Sequence, residues 1–156
     1  MSDALHSYTL TLRWTGNTGE GTKTYQSYQR DYDVSAEGKP VIAGSADPNY
    51  RGDATRWNPE ELLVASLSAC HKLWFLHLAA TAKIVVTDYV DAPVGSMRVD
   101  ANGGGQFTAC VLMPTITLEN VSDSEKAQSL HAKAHAMCFI ARSVNFPVTV
   151  EASYCA

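Results

Sequence analysis

Residues 58–70, NPEELLVASLSAC, form the most informative segment of the chain. Asn58 is a good helix N-cap, Pro59 suits the first helical position, and Glu60 follows in the first turn beside the helix dipole. From Leu62 to Ala82 the chain contains no glycine or proline and is apolar around most of its circumference. The segment therefore predicts a long helix that is buried on nearly all sides.

The other elements are predicted from turn signals and hydrophobic periodicity. The sequence SDSE at 122–125 is a capping-box pattern, and it opens a second helix that runs to about Met137. Alternating apolar residues bounded by turn residues predict strands at 8–15, 22–34, 40–44, 84–101, 106–119 and 148–154. The resulting order, β-β-β-α-β-β-α-β, segregates strands from helices and is typical of an α+β fold.

Composition bounds the class of protein. With 156 residues and 46% hydrophobic residues, the chain is expected to form a single domain over residues 1–156. A formal net charge of −4, without a block of like charges, argues against a nucleic-acid partner, which requires a basic face. Apolar runs fall short of the about 20 residues of a membrane span, and the polar N-terminus does not resemble a signal peptide. We therefore expect a cytoplasmic protein with no membrane partner.

The long apolar helix has a consequence for assembly. A helix that is apolar on nearly every side is hard to cover with one set of strands in a domain of this size. A second copy of the chain, contributing its own helix and sheet, is the simplest way to complete the covering. We therefore expect a homodimer.

The four cysteines, at positions 70, 110, 138 and 155, form no CxxC pair. Isolated cysteines of this kind are commonly small buried core residues. Cys70 lies on one stripe of the first helix at three- and four-residue spacing, and Cys138 lies on a similar stripe of the second. Both thiols are therefore predicted on the faces where the two helices pack together. Cys110 and Cys155 are predicted to be structural or incidental.

Two motifs carry a resemblance to a known family. Asn58-Pro59-Glu60-Glu61-Leu62-Leu63 with the following Ala69-Cys70, and Ala136-Met137-Cys138 ahead of Asn145 and a closing strand, are the segments concerned. They resemble the signatures of the OsmC/Ohr hydroperoxide-reductase family, in which proline often follows the second cysteine where Phe139 stands here. The resemblance covers nearly the whole chain. It implies an OsmC-like fold, an antiparallel sheet wrapped on two core helices, completed by an intertwined homodimer with sites at the subunit interface.

The resemblance also implies an activity. A member of this family is expected to be a thiol-dependent peroxidase that reduces organic hydroperoxides in oxidative-stress defence, with hydrogen peroxide as a further candidate substrate. Cys70 and Cys138 are the expected redox pair, and a small dithiol, of the lipoyl or another type, is the expected reductant. The family resemblance implies no metal, haem, flavin or other cofactor. The substrate-binding residues, the preferred peroxide and the physiological reductant are left open at this stage.

A peroxidatic cysteine needs a nearby cation, and arginine suits the role because it stays charged and presents a rigid fork. The family pairs such an arginine with a glutamate; Glu60 matches the glutamate, and Arg51 in the loop 45–57 is the nearest match for the arginine. Arg30 and Arg56 remain alternatives. Glu60 and Cys70, ten residues apart on one helix, are separated by about 15 Å along its axis. Either the arginine bridges that distance or Glu60 comes from the partner chain.

A competing hypothesis is a non-enzymatic OsmC-like binding or metal-binding dimer with structural cysteines. His131, His135 and Cys138 recur at i, i+4 and i+7, a spacing that suits a zinc site, and Cys70-His71 offers a fourth ligand. Against this, the chain lacks a CxxC pair, and the grouping coincides with the redox motif. The histidines are otherwise expected to be helix residues with local partners.

Overall fold

The computed structural model describes residues 4–156, which divide into two compact units, one up to Leu62 and the other from Leu63 to Ala156. The N-terminal unit contains a three-stranded antiparallel sheet in the order β1-β2-β3. Its strands are β1 (Thr11–Trp14), β2 (Tyr32–Ser35) and β3 (Ile42–Gly44).

The second strand is much shorter than the predicted 22–34. Local hydrogen bonds explain the difference. The Ser27 hydroxyl accepts from the Thr24 N–H and donates to the Thr24 carbonyl, both at 3.0 Å, and just before this turn the Asn17 side-chain oxygen accepts from the backbone N–H groups of Gly19 and Gly21, at 2.9 and 3.0 Å. An Asx turn of this kind gives the backbone an alternative to the sheet ladder. The chain therefore turns between β1 and β2, and only an isolated bridge between Asn17 and Tyr28 extends the pairing.

The predicted helix start is confirmed in atomic detail. Helix α1 spans Pro59–Thr81. The Asn58 side chain accepts a hydrogen bond from the Glu61 N–H at 2.8 Å, and the Glu61 carboxylate accepts one from the Asn58 N–H at 3.1 Å. These reciprocal bonds are a capping box. The helix is followed by Lys83, which adopts a left-handed conformation with φ 60°.

The C-terminal unit holds the second helix and two further three-stranded sheets, in the orders β4-β7-β9 and β5-β6-β8. The pairs β4–β7 and β5–β6 are antiparallel, whereas β8 and β9 add in parallel, so the sheets are mixed. The elements are β4 (Val86–Asp91), β5 (Val94–Val99), β6 (Gly105–Leu112), β7 (Pro114–Leu118), α2 (Ser124–Met137), β8 (Val148–Val150) and β9 (Ser153–Cys155).

The predicted α+β class is confirmed, but three predicted strands are each divided in two. The segments 84–101, 106–119 and 148–154 become β4–β5, β6–β7 and β8–β9. Asp91 marks one division. Its carboxylate accepts a hydrogen bond from the Met113 N–H at 2.8 Å, at the point where both segments of the polypeptide pass from one sheet to the other. The element order is therefore β-β-β-α-β-β-β-β-α-β-β.

The sequence predicted that helix α1 is buried on nearly all sides, but in the single chain it is buried on one side only. Its buried residues form one stripe, and Leu73 on another side is 62% exposed. By length and composition alone the helix is apolar enough to cross a bilayer, which corrects the expectation that the sequence holds no such run. The core helix of a globular domain can be equally long and apolar. Because α1 contributes Phe75 and Leu78 to the core, its length and composition do not indicate a membrane span.

Candidate active site

Cys70 and Cys138 are brought together in the C-terminal unit. Cys70 is half-buried on α1, and Cys138 is 1% exposed at the C-cap of α2. The pKa of Cys138 is raised to about 11, mainly by burial and also by a hydrogen bond to Cys70 and the charge of Cys70, against the opposing effect of the backbone N–H groups of Ala141 and Ile140. Both are free thiols that lie against each other. The predicted packing of the two stripes therefore holds.

The end of α2 fixes the position of the buried thiol. Cys138 leaves the helix in an extended conformation, and its sulfur accepts a hydrogen bond from the Ala141 N–H at 3.4 Å. Its carbonyl accepts from the Arg142 N–H at 3.1 Å, within a short 3-10 turn at Ala141–Ser143. The chain thus folds back around the sulfur without the proline that the family often has next, and Phe139 in that position is 63% exposed.

An apolar pocket of about 370 Å³ opens beside Cys70. Trp74 makes edge-to-face contacts with His77 and Phe139, with ring centroids 5.8 Å apart in each case. Leu73 completes the lining. Leu73 and His77 were not predicted to line a pocket, although their spacing of three and seven residues from Cys70 was the available signal. The pocket can accept an alkyl or aryl group next to the thiol.

Arg51 and Glu60 both lie in the N-terminal unit, where the structure does not pair them. Arg51 is exposed in a left-handed conformation with φ 64°, and its guanidinium carbon lies 5.9 Å from the centre of the Tyr25 ring. One carboxylate oxygen of Glu60 is buried without a hydrogen-bond partner. The pKa of Tyr32 is raised mainly by burial and also by the charge of Glu60. Among residues 4–156, neither side chain takes part in an ion pair.

The alternative arginines are already engaged within the same unit. Arg30 donates to the carbonyls of Tyr25 and Tyr28, both at 2.6 Å, and its guanidinium stacks over the two rings. Arg56 lies within 4 Å of the carboxylates of Asp31, Asp33 and Asp53. Arg56 Nη1 is buried without a hydrogen-bond partner, so Arg56 also keeps a free donor, but Arg51 is the candidate of the three that is exposed and makes no ion pair among the described residues.

A buried hydrogen-bonded chain lies next to the thiols. His71 Nε2 and His131 Nδ1 are 2.8 Å apart, and His131 Nε2 lies 2.9 Å from the Tyr154 hydroxyl. Burial is the main cause that lowers the pKa of each histidine to about 4. The charge of His135 adds to the lowering at His71, where Asp91 opposes it, and the charge of His71 adds to the lowering at His131. The two rings are therefore neutral near neutral pH.

This arrangement contradicts the zinc hypothesis built on His131, His135 and Cys138. Both ring nitrogens of His131 are occupied by hydrogen bonds, which leaves no lone pair for a metal. The part of the chain that the structure describes contains no group of three His, Cys, Asp or Glu side chains arranged to hold a metal ion.

The remaining cysteines lie elsewhere. Cys110 is fully buried in β6, and burial raises its pKa, with a further contribution from the charge of Asp91. Cys155 is exposed, with its sulfur 3.3 Å from the Thr117 hydroxyl. Neither contributes to the pocket beside Cys70.

Comparison with known proteins identifies the family to which the chain belongs. The family model described as OsmC-like protein matches residues 52–153. The chain belongs to the OsmC-like family. The match includes both cysteines, the pocket and the buried histidine pair.

Individual relatives agree with this assignment. An OsmC-like protein of unknown function from Vibrio cholerae is 30% identical, with a TM-score of 0.85 and coverage of 95% of this chain and 99% of the other. The organic hydroperoxide resistance protein OhrB of Bacillus subtilis is 29% identical over 105 residues, which is 67% of this chain and 74% of that protein. Its crystal structure has a TM-score of 0.62 at 22% identity, covering 97% of this chain and 100% of that chain, and supports the shared fold.

Proposed function

We propose that this OsmC-like protein is a thiol-dependent peroxidase that reduces organic hydroperoxides, with Cys70 and Cys138 as its redox pair. The observation that carries the proposal is the contact between a half-buried thiol at an apolar pocket and a second, fully buried thiol. The name of the Bacillus subtilis relative, an organic hydroperoxide resistance protein, supports the same substrate class.

The two thiols have different roles because their surroundings differ. Cys70 faces the pocket, so its thiolate attacks the distal oxygen of a hydroperoxide; the O–O bond breaks, an alcohol leaves, and Cys70 becomes a sulfenic acid. Cys138, with a pKa of about 11, holds its proton at rest and is the resolving partner. It condenses with the sulfenic acid to form the disulfide and release water. An external dithiol, of the lipoyl or another type, restores both thiols by exchange.

The test of this assignment is Cys138→Ser. With excess cumene hydroperoxide and dihydrolipoamide, wild-type protein turns over continuously. The variant is expected to consume one equivalent rapidly, as Cys70 forms its sulfenic acid, and a second equivalent slowly, as that acid, which has no resolving thiol, is oxidised to the sulfinic acid. Mass spectrometry of the Cys70 peptide reads out the oxidation state, and Cys155→Ser is the matched control. Undiminished turnover by Cys138→Ser would exclude a resolving role.

Activation of Cys70 is the second part of the proposal. Arg51 is proposed to hold the Cys70 thiolate, with Glu60 orienting its guanidinium through a bidentate pair. The buried Glu60 oxygen without a partner and the exposed Arg51 guanidinium each lack an opposite charge in a single chain. Completion of this pair by loop movement or by the partner chain satisfies both.

Arg51→Ala is expected to slow the reaction of Cys70 with hydroperoxide at neutral pH by about tenfold or more, since a hydrogen bond to a charged group contributes about 1.5–3 kcal/mol. Arg51→Lys recovers little, because a point charge lacks the fork geometry. Glu60→Ala has a milder effect. Stopped-flow kinetics of single turnover measure this, with Arg30→Ala as the control. Loss of rate in Arg30→Ala alone would move the role to Arg30.

A homodimer with sites at the subunit interface completes the proposal. In one chain, large apolar side chains stay exposed in both units, among them Leu10 and Leu12 at 60% each and Leu73 at 62%. We expect a dimer at low micromolar concentration, measured by sedimentation velocity. Leu73→Glu is expected to shift the protein toward the monomer, whereas Val121→Glu, on a residue 47% exposed outside α1, leaves the assembly unchanged. A compact wild-type monomer at that concentration contradicts the proposal.

A further inference from the structure

The donor and acceptor of each hydrogen bond in the buried row of His71, His131 and Tyr154 can be assigned, starting from Tyr154. The Tyr154 hydroxyl donates to the Gln128 side-chain oxygen at 3.1 Å, so the same hydroxyl oxygen accepts from His131 Nε2–H at 2.9 Å. His131 is neutral, and its Nδ1 is therefore the acceptor for His71 Nε2–H at 2.8 Å. His71 Nδ1 is then a buried acceptor with no partner among the described residues. Each hydrogen bond in this row thus donates in the same direction, from His71 on α1 through His131 on α2 and Tyr154 on β9 to Gln128 on α2.

Packing holds the same rings in place. The His71 and His131 rings are nearly parallel, with an angle of 8° and centroids 5.2 Å apart. Phe75, one turn after His71 on α1, stacks on His131 with centroids 4.4 Å apart. The two histidines are 1% and 5% exposed. The His131 ring therefore has a single position against α1.

The two hydrogen-bonded histidines lie on the same two helices as the two thiols. His71 is the residue after Cys70 on α1, and His131 lies two turns before Cys138 on α2. Apolar packing alone specifies a unique helix register less strongly than its stability suggests, whereas a buried hydrogen bond is directional. The bond between the two rings thus restricts the register of the helices that carry the two sulfurs.

We propose that His71 and His131 are positioning residues for the thiol pair, whose hydrogen bond sets the register of α1 on α2 in which the Cys70 sulfur meets Cys138. The inference rests on the proposed redox function of the pair and adds the device that holds it. A disulfide requires Cα atoms about 4.4–6.8 Å apart and a narrow dihedral range, so a small change in register weakens it.

The test is the equilibrium of the Cys70–Cys138 disulfide with dithiothreitol, which needs no hydroperoxide. The double variant His71→Leu/His131→Leu removes both hydrogen-bonding groups and leaves no orphan between them, so its stability to urea stays near that of wild type. We expect its disulfide equilibrium constant to fall about tenfold. His131→Asn, which retains an acceptor toward His71, is expected to recover most of the loss. Ile116→Val, in the fully buried core, is the control for a general loss of stability and leaves the constant within about twofold.

The outcomes separate this inference from the proposed function. A double variant that pairs its thiols as tightly as wild type overturns the positioning role, whatever the peroxidase activity. A tenfold loss together with rescue by His131→Asn supports it, even in a protein that proves inert toward hydroperoxide, which would overturn the proposed function alone. An equal loss in Ile116→Val also overturns the inference, because it traces the effect to stability.

Discussion

Cys70→Ser is expected to reduce hydroperoxide consumption to the uncatalysed rate. A serine hydroxyl is not ionised at neutral pH and is a far weaker nucleophile toward peroxide oxygen than a thiolate. No other described cysteine can replace Cys70, because Cys138 and Cys110 are buried, with raised pKa values, and Cys155 lies outside the pocket. The measurement is the initial rate of cumene hydroperoxide loss with dihydrolipoamide present.

The control for this variant is Cys110→Ser, which changes a thiol that the mechanism does not use. It is expected to retain turnover, with any loss explained by a lower fraction of folded protein. Retention of normal turnover by Cys70→Ser would show that the pocket beside Cys70 is not the site of peroxide reduction. Circular dichroism of both variants confirms that folded proteins are compared.

Acid is expected to destabilise the protein steeply through the buried histidines. Burial lowers the pKa of His71 and of His131 from 6.5 to about 4, so the unfolded chain binds protons that the folded chain excludes. Stability is therefore complete above pH 6.5 and falls as the pH decreases from 6.5 toward 4. At pH 5 each histidine costs about 2 kcal/mol relative to neutral pH, which is a large fraction of a typical domain's stability.

Urea titrations between pH 7.5 and 4.5 measure this loss in wild type and in His71→Leu/His131→Leu. The double variant is expected to lose much less stability over that range, because it lacks the two groups that take up protons on unfolding. His77→Leu is the matched control, since His77 is exposed and its removal leaves the pH dependence unchanged. Parallel curves for wild type and the double variant would contradict the assigned cause.

The local features of the fold were predictable from the sequence, whereas the distant contacts that join its strands were not. The capping box at Asn58 and Glu61 and the length of α1 depend on neighbouring residues, so they were visible in the order of amino acids. Pro93, between β4 and β5, was a local signal for the break, but the hydrogen bond from the Met113 N–H to the Asp91 carboxylate at this point joins residues 22 positions apart. An interaction between such distant positions leaves no periodic signal.

The site divides in the same way. The pairing of Cys70 with Cys138 was predicted because each lies on a regular helical stripe and the resemblance joined them. The hydrogen bond between His71 and His131 joins residues 60 positions apart, and the sequence offered only a metal-like spacing that the structure contradicts. The Arg51–Glu60 pair, which the described single chain does not form, stays a prediction.

The most direct test of the redox pair is a stoichiometric reaction without reductant. Reduced protein is mixed with one equivalent of cumene hydroperoxide, the remaining thiols are alkylated, and the digest is mapped by mass spectrometry. We predict one equivalent of alcohol, two of the four thiols lost, and a peptide that joins Cys70 to Cys138. Unreacted hydroperoxide with all four thiols alkylated, or a disulfide that involves Cys110 or Cys155 in place of this pair, would contradict the account.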